Sequence, residues 1–328
     1  MGDETHFRLS RPLRPRNNSA EFFQVNKSYQ SIWCETTATW VAAPETSKAK
    51  TKRGSSRRKV VVQAVLAAAA VLGAANAMAT GVNAIEAGVG ANAAGDGSVA
   101  IGVNANALQV NAIAQGANAI ASGGNSMALG MGATASGDLS TAIGLVATAS
   151  GDASTAVGTA AVAAGVRSVA TGFYSQANGR DSVAAGTGAV ADKDGSTALG
   201  SAAQANATLS TAVGYGATAG AAGAVALGVA ARASGNNAFA GGPLATAGGD
   251  NSTALGYAAS TSALNSVALG YAATASKNNA FAGGASAMAI GDNSTALGYA
   301  ASSSALNSVA LGYAATASNN NAFAGGAS

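Results

Sequence analysis

From Ala84 onward the chain opens a five-residue phrase ending in glycine every 14 residues. Ser98–Gly102 reads SVAIG, Ser126–Gly130 SMALG, Ser154–Gly158 STAVG, Ser196–Gly200 STALG and Ala238–Gly242 AFAGG. Eighteen phrases run to Ala322–Gly326 without insertion or deletion; the fifth position is always glycine, and the third is alanine everywhere except Glu86. The tenth position is also nearly always alanine, as at Ala107, Ala135, Ala177, Ala219 and Ala275. At the C-terminal end the similarity lengthens: Ser252–Gly284 recurs almost unchanged, 42 residues later, as Ser294–Gly326. A fixed period with no indels means that each block is one structural unit stacked on its neighbours.

Fourteen is a multiple of two and far from a multiple of 3.6, so the pattern keeps its face in a strand and would lose it in a helix. Within STALG, the Thr/Val and Leu/Ile positions share one face while Ser, Ala and Gly share the other. The second half-block, ATASG or ATAGG, alternates again, and Gly with Asn/Asp clusters such as SGDLS and SGNN read as turns. Each block is therefore expected to be two short strands and two turns, one coil of a parallel β-solenoid. So narrow a coil admits only Ala, Ser or Gly inside, which explains why the chain is 48% apolar yet only 5% aromatic. Alanine and glycine bury little area, and the Val/Leu/Ile face needs another surface to cover it. Closure by identical chains around an axis is the natural solution.

Charge is unevenly distributed. Twelve of the seventeen Lys and Arg residues lie at or before Lys59, and from Thr80 onward five bases face nine acids, a net of −4. That balance argues against affinity for a nucleic-acid backbone. The single histidine, His6, and the single cysteine, Cys34, both precede the repeats. A Ser/His/Asp arrangement, a Cys nucleophile and a Cys/His metal site thus have no residues to use there, and neither enzymatic activity, a cofactor nor a small-molecule substrate is expected. Gly88–Gly95, GVGANAAG, has a phosphate-loop look but falls in register with the repeat and reads as turn glycine. Asp192, Asp194, Asp250 and Asp292 read as solvated turn acids.

The first eighty residues read as an address. Ser47–Lys59 packs seven bases ahead of the apolar run Val60–Ala79, and small residues at Ala77 and Ala79 mark a cleavage site that leaves Thr80 as the new N-terminus. Cleavage after Ala77 is the alternative, and a transmembrane anchor is the competing reading of the run. Upstream, Asn26, Lys27, Tyr29, Ile32, Trp33, Trp40, Val41 and Glu45 stand in an order and spacing that resemble the extended signal peptide of type V secretion proteins. Cys34 departs from the asparagine usual in that motif. Residues 1–25 are expected to be a start-site extension, since Val25 immediately precedes the motif.

With that leader, the 14-residue phrases resemble the head repeats of YadA-type trimeric autotransporter adhesins. The resemblance implies a left-handed parallel β-roll over residues 80–328 behind a non-globular signal segment at 26–79. It further implies a homotrimer displayed on the Gram-negative cell surface, binding host extracellular-matrix or cell-surface molecules. Family members continue into a coiled-coil stalk and a membrane-barrel anchor; neither pattern is present here, so the chain reads as truncated, with membrane attachment only through that missing anchor.

Two sets of residues are candidate ligand contacts. Tyr215, Tyr257, Tyr271, Tyr299 and Tyr313 all follow the repeat glycine and form a periodic row, whose alternative reading is a structural stack of rings. Gly172–Asp181, GFYSQANGRD, is the most irregular block, carrying Phe173, Tyr174 and Arg180, with Arg167 nearby. The competing function is a secreted structural or ice-binding solenoid, suggested by Thr134, Thr148, Thr218, Thr246, Thr274 and Thr316 in the ninth position. That column is interrupted by other residue types.

Overall fold

The computed structural model describes residues 29–34, 39–44 and 79–327. Near the N-terminus, β1 (Tyr29–Cys34) pairs antiparallel with β2 (Thr39–Pro44), in a register that sets Trp33 opposite Trp40 and Ile32 opposite Val41. The order and spacing of the signal motif do not announce this strand pairing. The apolar run lies outside the described residues except for Ala79, and among the described residues no helix is long and apolar enough to cross a membrane.

From Ala79 the chain coils with the 14-residue period. Each coil carries a three-residue strand at positions two to four of the block, from Ile85–Ala87 to Phe323–Gly325, and a two-residue strand at positions nine and ten, from Asn92–Ala93 to Thr316–Ala317. Every strand pairs in parallel with its counterpart one period on: Thr141 with Thr155, Ala142 with Ala156, Ile143 with Val157. The short strands do the same, Thr134 with Thr148 and Ala135 with Ala149. Two open ladders result, and the expected all-β parallel solenoid of 14-residue coils is present.

Four positions per coil point inward. The third and tenth are those the alternation predicts, and Ala100, Ala107, Ala142 and Ala149 are fully buried. The first and eighth join them: Ser98, Ser140, Ala105 and Ala133 are equally buried. In several coils the first-position serine donates its hydroxyl back to the carbonyl three residues earlier, as Ser182 does to Gly179 at 2.6 Å and Ser266 to Ala263 at 2.6 Å, whereas Ser98, Ser140, Ser154, Ser168 and Ser252 keep buried hydroxyls without a partner. Where it forms, such a bond satisfies a polar group that is otherwise orphaned by burial.

The first coil departs from this rule. Glu86 occupies the usual alanine position, where its carboxylate accepts from the Ala93 N–H at 3.5 Å.

Outside, positions two and four of the long strands form an apolar face that includes Ile101, Ile143, Leu199, Leu227, Leu255 and Leu297. Toward the C-terminus this face has its own three-coil rhythm, TAL, VAL, FAG, at 253–255, 267–269 and 281–283 and again at 295–297, 309–311 and 323–325. Each phenylalanine requires its glycine. A Cβ on Gly241 would lie 2.7 Å from Cε1 of Phe239 and 2.8 Å from Cδ1 of Leu255, so the ring rests in the space where a side chain would be.

Candidate functional site

The two turns of each coil sit at opposite ends of its strands, and they are built from different chemistry. The first turn spans positions five to seven. Its glycine adopts a backbone that L-residues avoid, with φ of 136° at Gly256, and a Cβ there would meet the Gly270 carbonyl oxygen of the next coil at 2.4 Å. Position seven is left-handed whatever its residue: φ is 56° at Tyr174, 53° at Ala258 and 51° at Ala272. Position six uses only its carbonyl in the ladder, as Tyr257 accepts from the Ala272 N–H at 2.8 Å, and its side chain projects from the edge.

The second turn spans positions eleven to fourteen and is held by side chains. Position fourteen is again left-handed, and asparagine, which tolerates that conformation, fills it from Asn237 to Asn321 in seven consecutive coils. Their amides form a continuous ladder, Asn265 donating to Asn279 at 3.2 Å, Asn279 to Asn293 at 2.9 Å and Asn293 to Asn307 at 3.1 Å. Aspartates at position thirteen accept a backbone N–H from the preceding coil: Asn236 donates to Asp250 at 2.8 Å, Asn278 to Asp292 at 3.2 Å and Arg180 to Asp194 at 2.9 Å. The acids read from sequence as solvated turn residues thus include three clips between coils. No cluster of three or more His, Cys, Asp or Glu able to hold a metal occurs among the described residues.

The tyrosines of position six lie on the first-turn edge, as the register requires. Rings of Tyr257 and Tyr271 stack with centroids 5.3 Å apart and 9° between planes, and Tyr299 and Tyr313 repeat this at 5.3 Å and 10°. The row is therefore two pairs, separated by Ala285, with Tyr215 standing apart. All four paired rings remain substantially exposed, at 47, 60, 56 and 60% in chain order.

Phe173 and Tyr174 share that edge. They occupy positions six and seven of one coil and meet edge to face with centroids at 4.3 Å. Arg167 and Arg180 belong to the opposite turn, so proximity in the chain did not bring them to the aromatic pair. Arg167 makes a bidentate bond to Asp181 one coil on, both distances 2.6 Å. That hydrogen bond holds the Asp181 carboxyl below its ordinary pKa and raises that of the guanidinium. Asp192 is also lowered, by hydrogen bonds from Lys193 and Asn178.

The short strands turn their ninth position outward, where Thr134 and Thr148 pair in register but Val162 and Gln176 follow. A regular threonine plane is not formed there. Of the cleavage-site residues, Ala77 lies outside the described residues, as do Asn26 and Lys27 of the leader motif. Ala79 packs against the core, and the Thr80 N–H donates to the Ala93 carbonyl at 3.2 Å, so the solenoid begins where the leader is expected to end. Sequence reasoning missed the asparagine ladder and the aspartate clips; their signal was the column of like residues at positions thirteen and fourteen.

What the geometry offers is an exposed, periodic surface: one apolar face, one polar face and two edges, with each outward position recurring once per coil. Comparison with known families gives two matches. The extended signal peptide of the type V secretion system matches residues 26–74, and the YadA head domain repeat matches in successive windows, some overlapping, from 79 to 328. Among solved structures the chain is similar to the collagen-binding domain of the Yersinia adhesin YadA, at 26% identity with a TM-score of 0.27, over 44% of this chain and 66% of that one. No curated protein matches.

Proposed function

Because this chain belongs to the family of YadA head domain repeats and carries the extended signal peptide of type V secretion, we propose that it is the head of a bacterial surface adhesin that holds host extracellular-matrix or cell-surface molecules. The observation that carries this reading is the in-register ladder. Each outward position recurs every coil at about 4.8 Å and Ser252–Gly284 recurs almost unchanged as Ser294–Gly326, so a long partner engages several similar weak contacts and gains avidity without a deep site. No catalytic step is assigned to it. The leader directs export to the cell surface, with cleavage after Ala79.

The same reading makes the working unit a homotrimer. Rows of Val, Leu and Ile on the long strands are half-buried to exposed in one chain, and packing three such faces around an axis removes them from water at about 25 cal/mol per Å². A folded monomer by light scattering at micromolar concentration would refute that assembly.

Binding is tested by deletion. Removing Ser252–Asn293 takes out three coils and joins Asn251 to Ser294 with the 14-residue register intact. Stability in a stacked array is roughly a sum over units and their interfaces, so the fold persists and matrix binding weakens modestly. If binding to immobilised matrix proteins is unchanged by the deletion but abolished by Phe173→Ala with Tyr174→Ala, the contact is local to that block and the distributed reading fails.

A further inference from the structure

We propose that the gap between Tyr271 and Tyr299, floored by Ala285, is a binding slot for one aromatic side chain of a protein partner. The proposal rests on the adhesin reading and names the contact through which it acts. Position six carries Tyr257, Tyr271, Ala285, Tyr299 and Tyr313 in five successive coils, so a single ring is missing from a column of rings. Tyr271 already stacks on Tyr257, and Tyr299 on Tyr313, each pair at 5.3 Å and within 10° of parallel. Both rings therefore turn a free face toward the empty rung.

Two ladder steps separate those faces, about 10 Å at the usual strand spacing. A ring centred between them stands about 5 Å from each, inside the range that offset-stacked aromatic pairs prefer. It would occupy the place that a tyrosine takes in the neighbouring coils. The floor is small, Ala285 and Ser286, and the residues flanking the two rings on this edge, Ala272 and Ala300, are also small. No carboxylate, ammonium or guanidinium belongs to the first turns of these three coils, so an uncharged ring enters without stripping water from an ion. Elsewhere in the column the vacancy is wider: Val229 and Pro243 both stand between Tyr215 and Tyr257.

Saturation-transfer NMR on the full chain, with N-acetyltryptophanamide as probe, tests the slot. Transfer to the indole is expected, and Ala285→Tyr, which fills the rung with a residue its neighbours already carry, should weaken it about tenfold for the loss of two stacking faces. Tyr299→Ala removes one wall and should weaken it as well, which keeps the test intact if the first variant folds poorly. Equal transfer in wild type and both variants overturns the proposal. So does transfer of the same size to N-acetylprolinamide, N-acetylargininamide or methyl glucopyranoside. Matrix adhesion of the same proteins separates this idea from the reading it rests on. Wild type and Ala285→Tyr adhering equally sinks the slot as a partner contact and leaves the adhesin standing; indole binding by a wild-type chain that does not adhere sinks the adhesin and leaves the slot.

Discussion

At its first turn each coil bends on a glycine with no side chain, whereas at its second turn the side chains of one coil bond to those and to the backbone of the next. The glycine edge is therefore rigid in backbone and permissive in position six, which holds Val, Met, Leu, Phe, Thr, Ser, Tyr, Pro and Ala in different coils. The second edge differs: where asparagine or aspartate holds positions thirteen and fourteen it carries coil-to-coil side-chain hydrogen bonds, and where Leu139, Ala153 or Leu209 stands at position fourteen the coil persists without that ladder bond. Over the C-terminal coils, where asparagine is unbroken at position fourteen, position six varies without touching that ladder. The exposed tyrosine pairs lie on the first edge, and so do Phe173 and Tyr174.

The largest expected effect comes from breaking the glycine edge. Gly256→Val or Gly270→Val places a β-branched side chain at a forbidden φ and against the next coil's carbonyl, and should cost about 3 kcal/mol or more. Tyr257→Ser, one position on, should cost about 0.5 kcal/mol for the loss of one stacking partner. Melting curves that shift equally for the two would erase the distinction between a structural and a permissive position.

An intermediate effect is expected at the other edge. Asn265→Ala interrupts the amide ladder in both directions and should cost about 1 kcal/mol. Asn265→Gly keeps the left-handed backbone without strain while losing the same hydrogen bonds, so chemical denaturation of the two variants separates amide from backbone. A glycine variant as stable as wild type would show that the ladder contributes nothing.

The smallest effect concerns the one coil pair in which an ion pair replaces asparagines at position fourteen. Asp181 has its pKa lowered by the Arg167 hydrogen bond, so its stabilisation is in place above the ordinary value of 3.8 and is lost as pH falls through the lower folded value. Both groups are solvent-exposed, which keeps the contribution small and screened by salt. The difference in Tm between wild type and Asp181→Asn should be constant near neutral pH and close in strong acid; a difference that grows on acidification contradicts this.

Much of the architecture is legible in the residues because a solenoid is a local code repeated. The period places every strand, the alternation sorts Ala from Val and Leu, and the small lumen follows from what fits between two strands one coil wide. What the chain alone does not reveal is what happens between coils, since those partners are 14 residues apart and meet only when the coils stack. Asp250 and Asp292 look like ordinary turn acids until the preceding coil's N–H is found against them. Arg180 looks adjacent to Phe173 until seven residues of chain carry it to the opposite edge. Tyr271 and Tyr299 look like members of one row until stacking divides it, leaving a single empty rung at Ala285. Position in the period is determined by the sequence, but neighbourhood across the ladder is decided by the tertiary structure, because hydrogen bonds and ring contacts depend on distance along the solenoid axis rather than along the chain.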